Sequence, residues 1–577
     1  MSLNIEISKD GYKILRLNKN DKVVYLGSKY SQEREIKKFI DQFGEFTQKD
    51  NFIILGLSFG EHIKELLKNV DEKSRILVIE FNNELIEYCR NDDEIKKIID
   101  NDRVTLTSEI KEIELFIYKY ISEANVERLR VKSYSIYDKI YGEELQKIYI
   151  RIKALLVRFT LERNTIESSG RIFFESILSN LKYIAKSTEV NKLRNAYENK
   201  PAIIVSAGPS LIKNIDQLKG INDALILSGG RTLGALLERN INPTCLGVVD
   251  AGEVSYKLVE PYIKNIRCPL LFSETTNNKV VSECESVKFF DTQSNFIRKA
   301  WSENIISLCG GGSIAHTLTN FAIYLGCSPI IFIGQDLAYT GEQGHASCSG
   351  NRWDEWSFDK YKNENDIYVK DINGNLVRTS VVLNDYRICL EEIINAHPNT
   401  KFINATEGGA NIEGAENRIL GDILKELKSD EIVSMENFSI NEDRTEDIIK
   451  ELQNNLRTFE VYIQLCEKGK RLLKEYKKYY YLKDRNKTNE IIQKLDEIEN
   501  NIKKNSGEIN LTTTIIAQAL YTINNMEEFI IKSSDSKLVA FNKDVNRSEA
   551  LYSGIEDVMK ECYEMVEKTI KELKGEC

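Results

Sequence analysis

Histidine and proline are the scarcest residues of mechanistic interest in this sequence. Its 577 residues hold four histidines, His62, His316, His345 and His397, and seven prolines. Chemistry that needs an imidazole titrating near neutrality must therefore draw on one of four side chains. The eleven cysteines include no C-x-x-C pair. That argues against a zinc site or a disulfide frame and leaves reduced, buried thiols. No run approaches the roughly 18 uncharged apolar residues of a membrane span, and MSLNIEISKDGYKILRLNKN at the start lacks a signal-peptide core. The expectation is a cytoplasmic protein with no membrane insertion. Net charge is −10, so a broad basic face for nucleic acid is not expected. What is present, 42% hydrophobic and 29% charged residues, describes a globular chain too long for one core.

Three regions differ in pattern. Residues 1–190 carry a strand, turn and helix in NFIILGLSFGEHIKELL (51–67), then a strand, RILVIEFN (75–82), containing Glu80 near its end. This resembles half of a nucleotide-binding Rossmann unit, although Gly56 and Gly60 are the only glycines of its turn. The alternative is an α/β scaffold whose glycines only tighten the turn. Residues 108–187 then follow helical spacing. Residues 191–428 alternate apolar strands (202–207, 224–229, 244–250, 269–274, 329–334 and 401–406) with helical patterns, which predicts a parallel sheet covered on both faces. Residues 429–577 are nearly free of glycine and proline and read as a helical domain, with Tyr476 and Tyr479–Tyr481 expected to pack between helices. The fold class is α/β: a central Rossmann-like parallel-sheet domain, an N-terminal α/β region and C-terminal helices.

Ligands of such sheets collect beyond the carboxyl ends of the strands. The first central strand ends in Ser206-Ala207-Gly208-Pro209-Ser210, where Gly208 permits close approach and Pro209 suits the first turn of a helix. The amides that follow would favour a phosphate. The next strand ends in Ser228-Gly229-Gly230-Arg231, whose guanidinium suits phosphate or carboxylate. Asp250 ends the third and Thr275 follows the fourth. Gly311, Gly312 and Ser313 precede an amphipathic helix, and the strand SPIIFIG (328–334) runs into a polar loop with Gln335, Asp336, Tyr339 and His345. Several such turns on one sheet edge point to a nucleotide-type, anionic ligand.

The stretches SAGPSL, LSGGRTLGALLERNINPTCLGVVDAGE, GGGSIAHTLTNFAIYLGCSPIIFIGQDLAYTGEQGHAS and NATEGGANIEG resemble the motility accessory factor family, which are bacterial flagellin glycosyltransferases. The resemblance is carried by residues 190–425. That family's central domain is in turn similar to bacterial sialyltransferases, in which a G-x-G-P-S turn holds cytidine monophosphate and a later segment reads G-I-D-x-Y. Here the turn has Ser206 and Ala207 in place of Gly-Asn, and Tyr339 comes one place late. The resemblance implies a CMP-activated nonulosonic acid, of the pseudaminic or legionaminic type, donated to serine or threonine hydroxyls of flagellin. It also matches His345 to the general base.

A base for the acceptor hydroxyl and groups to neutralise the departing phosphate are what such a transfer needs. His345 is the candidate base, with a binding or structural role as alternatives. Tyr339 is a donor to the leaving phosphate or an ordinary packing residue. Turn amides and Arg231 would neutralise the phosphate, so no cofactor is required. Asp250 and Asp336 are the carboxylates that could carry magnesium. His316 reads as a helix-packing residue, and His62 and His397 as structural. The C-terminal helices are a candidate surface for helical flagellin. Two other readings compete: an ATP-dependent pterin pyrophosphokinase-like enzyme, because the Gly-Pro-Ser signature occurs there too, and a non-catalytic flagellin-binding scaffold.

Overall fold

The computed structural model describes residues 3–19, 22–48, 50–122, 124–349, 366–427, 432–440, 442–505 and 510–576. The chain forms two compact units, the first from Met1–Ser168, Gly469–Ile492 and Ala519–Gly554, the second from Ser169–Lys468, Gln493–Gln518 and Ile555–Cys577. The C-terminal helices Thr445–Tyr481 and Lys537–Leu573 contribute residues to both.

In the first unit, β1 (Asn4–Ile7), β2 (Lys13–Lys19) and β3 (Lys22–Leu26) form an antiparallel meander. Then β4 (Asn51–Leu55), β5 (Ile76–Ile79), β6 (Val104–Thr107) and β7 (Leu129–Ser133) form a parallel sheet in the order β6-β5-β4-β7. Near-continuous apolar strands need two covered faces. Phe52, Ile54, Ile76 and Val78 meet Phe39, Leu66 and Tyr137 on one face. Ile53, Leu77 and Ile79 meet Ile113, Ile117 and Ile148 on the other. The tyrosine run packs within this unit: Tyr480 stacks on Phe541 at 3.4 Å, and the Tyr481 hydroxyl donates to Asn542 at 2.8 Å.

The second unit is built on a nine-stranded parallel sheet. Its strands are β8 (Thr188–Glu189), β9 (Ala202–Val205), β10 (Leu225–Gly229), β11 (Cys245–Val248), β12 (Leu270–Ser273), β13 (Lys288–Asp291) and β14 (Ile330–Ile333). A small hairpin of β15 (Ile367–Lys370) and β16 (Leu376–Thr379) intervenes before β17 (Phe402–Asn404) and β18 (Glu416–Asn417). All six strands expected for this region are present. The sheet order is β18-β17-β14-β9-β10-β11-β12-β13-β8. Ile204, Leu227 and Phe332 face Leu318 and Phe321, while Ile203, Val205 and Ile333 face Leu211 and Leu236. Each such fully buried side chain stabilises the sheet by about 1.5–3 kcal/mol.

The chain steps outward from β9 to β13, then crosses back to place β14 on the other side of β9. The loops after β9 and β14 therefore leave in opposite directions, which makes their carboxyl ends the topological switch point where open α/β sheets bind ligands. Among the described residues no helix is long and apolar enough to cross a membrane.

Candidate functional site

At the switch point the turn after β9 is tied to the loop after β14. Gly208 donates its amide to the Gly334 carbonyl at 2.7 Å. Its φ is −65°, open to any residue, so glycine is not needed for an unusual backbone angle. The requirement is space, because a Cβ there would overlap the Asp336 carboxylate and the Gly334 carbonyl. Pro209 opens a five-residue 3-10 helix, Pro209–Lys213, rather than the α-helix that the Gly-Pro turn predicts.

Asp336 is the centre of this junction. Its carboxylate accepts the Ser210 amide at 3.2 Å, the Ser210 hydroxyl at 2.7 Å and the Thr340 hydroxyl at 2.6 Å. The loop after β17 closes over it: Ala410 donates its amide to the Asp336 carbonyl at 2.7 Å. Gly409 lies there with φ +79°, and a Cβ would run into the Asp336 main chain. Burial raises the Asp336 carboxyl above its ordinary value, and the bonds from Thr340 and Ser210 draw it part of the way back. The turn amide expected to meet a phosphate thus already holds an anion of the protein itself. Ser210, expected at the phosphate, spends both its amide and its hydroxyl on Asp336. Asp336 is thereby a clasp whose two oxygens are both engaged by neighbouring donors. Among the described residues no group of three or more His, Cys, Asp or Glu converges as a metal site.

Other predicted residues surround the clasp. Ser206, Ala207 and Gly208 are half-buried. Ala346 donates its amide to the Ala207 carbonyl at 2.9 Å, which sets the neighbouring half-buried His345 beside the turn. Gln335 is buried; its amide donates to the Thr406 hydroxyl at 3.1 Å, and its side-chain oxygen has no hydrogen-bond partner among the described residues. Tyr339 is buried beneath the Arg378 guanidinium, 4.1 Å from its ring centre, and Arg378 is held by Asp366 at 2.5 Å and Glu342 at 2.8 Å. Tyr339 is thereby a platform for the loop that leads to His345.

The remaining predicted residues lie on the same edge, on the other side of β9. The Ser228 hydroxyl is used inside its own turn, 2.9 Å from that of Thr232. Gly229 caps the eight-residue helix Gly230–Leu237, which has half-buried Arg231 in its first turn. Thr275 pairs its hydroxyl with Ser273 at 3.2 Å. Asp250 reaches the surface, yet the surrounding protein desolvates it and raises its carboxyl. Gly311 and Gly312 lead into Ser313, which caps the helix Ile314–Tyr324 by accepting from the Ala315 amide at 3.4 Å.

Gly312 sits against the ring of Tyr386, a residue the sequence did not single out. Burial, aided by the charges of Asp250 and Asp385, raises the Tyr386 phenol. Its carbonyl is bonded at 2.8 Å to Nε2 of His316, a fully buried residue in the packing role expected of it. Arg378 lies in β16 and Tyr386 in the helix Val381–Ala396 that follows it, where Asn384 and Asp385 are buried beside Ile388. Polar residues on the apolar stripe of a helix were the available signal.

Three comparisons bear on this geometry. A family model described as 6-hydroxymethylpterin diphosphokinase MptE-like matches residues 175–342, less than a third of the chain. No curated protein matches the sequence. The fold is similar to the solved structure of the MAf glycosyltransferase from Magnetospirillum magneticum AMB-1, with a TM-score of 0.55 and 14% identity, over 99% of this chain and 93% of that one. The likeness therefore extends through both units and meets the resemblance to motility accessory factors carried by residues 190–425.

Proposed function

We propose that the chain is a glycosyltransferase that moves a nonulosonic acid from a CMP-activated donor to serine or threonine of flagellin. One observation carries the reading: the SAGPS turn, the Asp336 loop and the His345 segment meet at the switch point of the large parallel sheet. The fold likeness over nearly the whole chain supports it. The acceptor hydroxyl attacks the anomeric carbon, the bond to the CMP phosphate oxygen breaks, and CMP departs with the electron pair. His345 takes the hydroxyl proton. The main-chain amide of Ala207 and the guanidinium of Arg231 bind the phosphate, and no metal or cofactor is part of the scheme. The acceptor is met in the cytoplasm, before flagellin is assembled.

The test is to incubate the purified chain with flagellin and either CMP-pseudaminic or CMP-legionaminic acid, without added metal, and to read the mass of intact flagellin. A gain of one nonulosonate residue supports the reading; unmodified flagellin with both donors defeats it. The MptE-like match favours a second reading, pyrophosphate transfer from ATP to a hydroxymethylpterin. Release of AMP from ATP and magnesium only when that pterin is present would replace the first reading with the second.

A further inference from the structure

Beyond the switch point, the carboxyl edge carries two acids that the reaction scheme does not use. Glu274 directly follows β12 and Asp291 ends β13; the two strands are neighbours, with Ser273 in register with Asp291. Both acids are more than nine-tenths buried. Each uses one oxygen on a main-chain amide: Glu274 accepts from Gln293 at 3.1 Å, and Asp291 accepts from Leu308 at 2.7 Å. Each leaves the other oxygen, Oε2 of Glu274 and Oδ1 of Asp291, buried with no hydrogen-bond partner among the described residues. Two ionised carboxylates in that state would be desolvated, mutually repelled and unsatisfied at once. Protonating one of the two removes the repulsion and lowers the cost of desolvation.

We propose that Glu274 and Asp291 carry at most one negative charge between them in the native chain and act together as a positioning pair for the glycine-rich loop at the site. The connection is covalent and short: Leu308, whose amide Asp291 holds, directly precedes Cys309 and the glycines that lead to Ser313. Thr275 is the residue after Glu274, so the pair anchors two of the edge segments at once. Burial and the Glu274 charge push the Asp291 carboxyl up to about 7, and burial raises Glu274 as well.

The surroundings do not neutralise the pair by other means. Arg298, on the helix Asn295–Trp301, is the cation that acts on Asp291, but its guanidinium donates to the Thr292 carbonyl at 2.8 Å and the Ile305 carbonyl at 2.7 Å. From the helix Gly142–Ile184 comes a neutral group, the Asn180 amide, which donates to the Glu274 carbonyl at 3.1 Å. A native carboxyl raised above its unfolded value binds a proton that the unfolded chain releases. The pair therefore supports the fold fully in acid and loses that support as pH rises through about 7.

The experiment needs no substrate, so its outcome is independent of the proposed transfer. Thermal unfolding of the full chain is followed from pH 5 to pH 8.5 for wild type, Asp291→Asn and Glu274→Gln. An amide is neutral at every pH, as the protonated carboxyl is, and removes the repulsion throughout. The expected result is a gap in melting temperature, amide variant minus wild type, that grows by about 3–6 °C toward alkaline pH. The protection factor of a peptide spanning 305–313, after correction for the intrinsic pH dependence of amide exchange, should fall toward pH 7 and above in wild type and stay constant in the variants. A gap independent of pH in both variants, or protection in that peptide that follows pH alike in all three proteins, would overturn the proposal. Two carboxamide variants at different positions guard against one of them failing to fold.

Discussion

Two strand-to-turn junctions in this chain use one device and arrive at different ends. In the first unit the turn after β4 gives its Leu57 amide to the Glu80 carboxylate at 3.0 Å; in the second, the turn after β9 gives its Ser210 amide to Asp336 at 3.2 Å. Each turn thus holds an acid of the protein. Around Glu80 the space is filled. Tyr137 donates its hydroxyl to Glu80 at 3.0 Å while its ring occupies the position a Cβ of Gly56 would need, and His62 bonds the Gly56 carbonyl at 3.0 Å beneath a stacked Tyr134. Around Asp336 the acid comes from across the switch point, and Ser206, Ala207, Gly208 and His345 stay half-buried. The difference teaches that a glycine turn and an acid do not by themselves make a ligand site. What the neighbouring strand order leaves open does.

That contrast can be broken in four ways. The largest effect is expected from His345→Ala, which should lower nonulosonate transfer by about 10²–10⁴-fold while the melting temperature and CMP binding hold; transfer at the wild-type rate, measured by flagellin mass, would remove the histidine from the chemistry. Gly208→Ala comes next. Its methyl must displace Asp336, so a loss of about 1–3 kcal/mol in denaturant unfolding is expected, together with CMP affinity. The paired amides Asp336→Asn and Glu80→Gln follow. Each sets an N–H group against a main-chain donor and should cost about 1–3 kcal/mol. Only Asp336→Asn should also weaken CMP binding in calorimetry, and equal weakening by both would erase the distinction drawn here. The smallest effect concerns His62, which burial lowers to about 3. Between its ordinary value and that one, the unfolded chain takes up a proton that the native ring refuses, so stability falls as pH drops through this window. At pH 5.5 the cost is about 1 kcal/mol, and His62→Gln should flatten the acid limb of the melting curve by that amount.

Much of the parallel sheet was legible because its strands are continuous apolar runs bounded by glycine and serine turns. β13 was not: KFFD starts on a lysine and follows the polar stretch Glu283–Lys288, leaving two apolar residues in the strand. β8 and β18 are two residues each, below any periodicity. At the site, the turns could be read locally, but the partners could not. Ser210 and Asp336 are 126 positions apart, and nothing in either neighbourhood marks them as a pair. The Glu274–Asp291 pair escaped for the same reason, since register between strands decides it. The Glu80 junction reads as a nucleotide half-site because its closure depends on Tyr137, which arrives 57 residues later. For the C-terminal helices, amphipathic spacing marks an apolar face without naming what it meets, so their contribution to both units had no local signature.

The closure of the loop after β17 over Asp336 also sets an order of events during synthesis. When a growing chain has emerged through β14, the turn after β9 and the Asp336 loop can already pair, since both are present. The lid formed by Gly408, Gly409 and Ala410 comes about 70 residues later and has yet to emerge. More than two hundred residues separate Gly208 from Gly409, and joining such distant segments is a slow, entropically costly step. This carboxyl edge of the sheet is thus completed late, after most of the second unit's sheet exists.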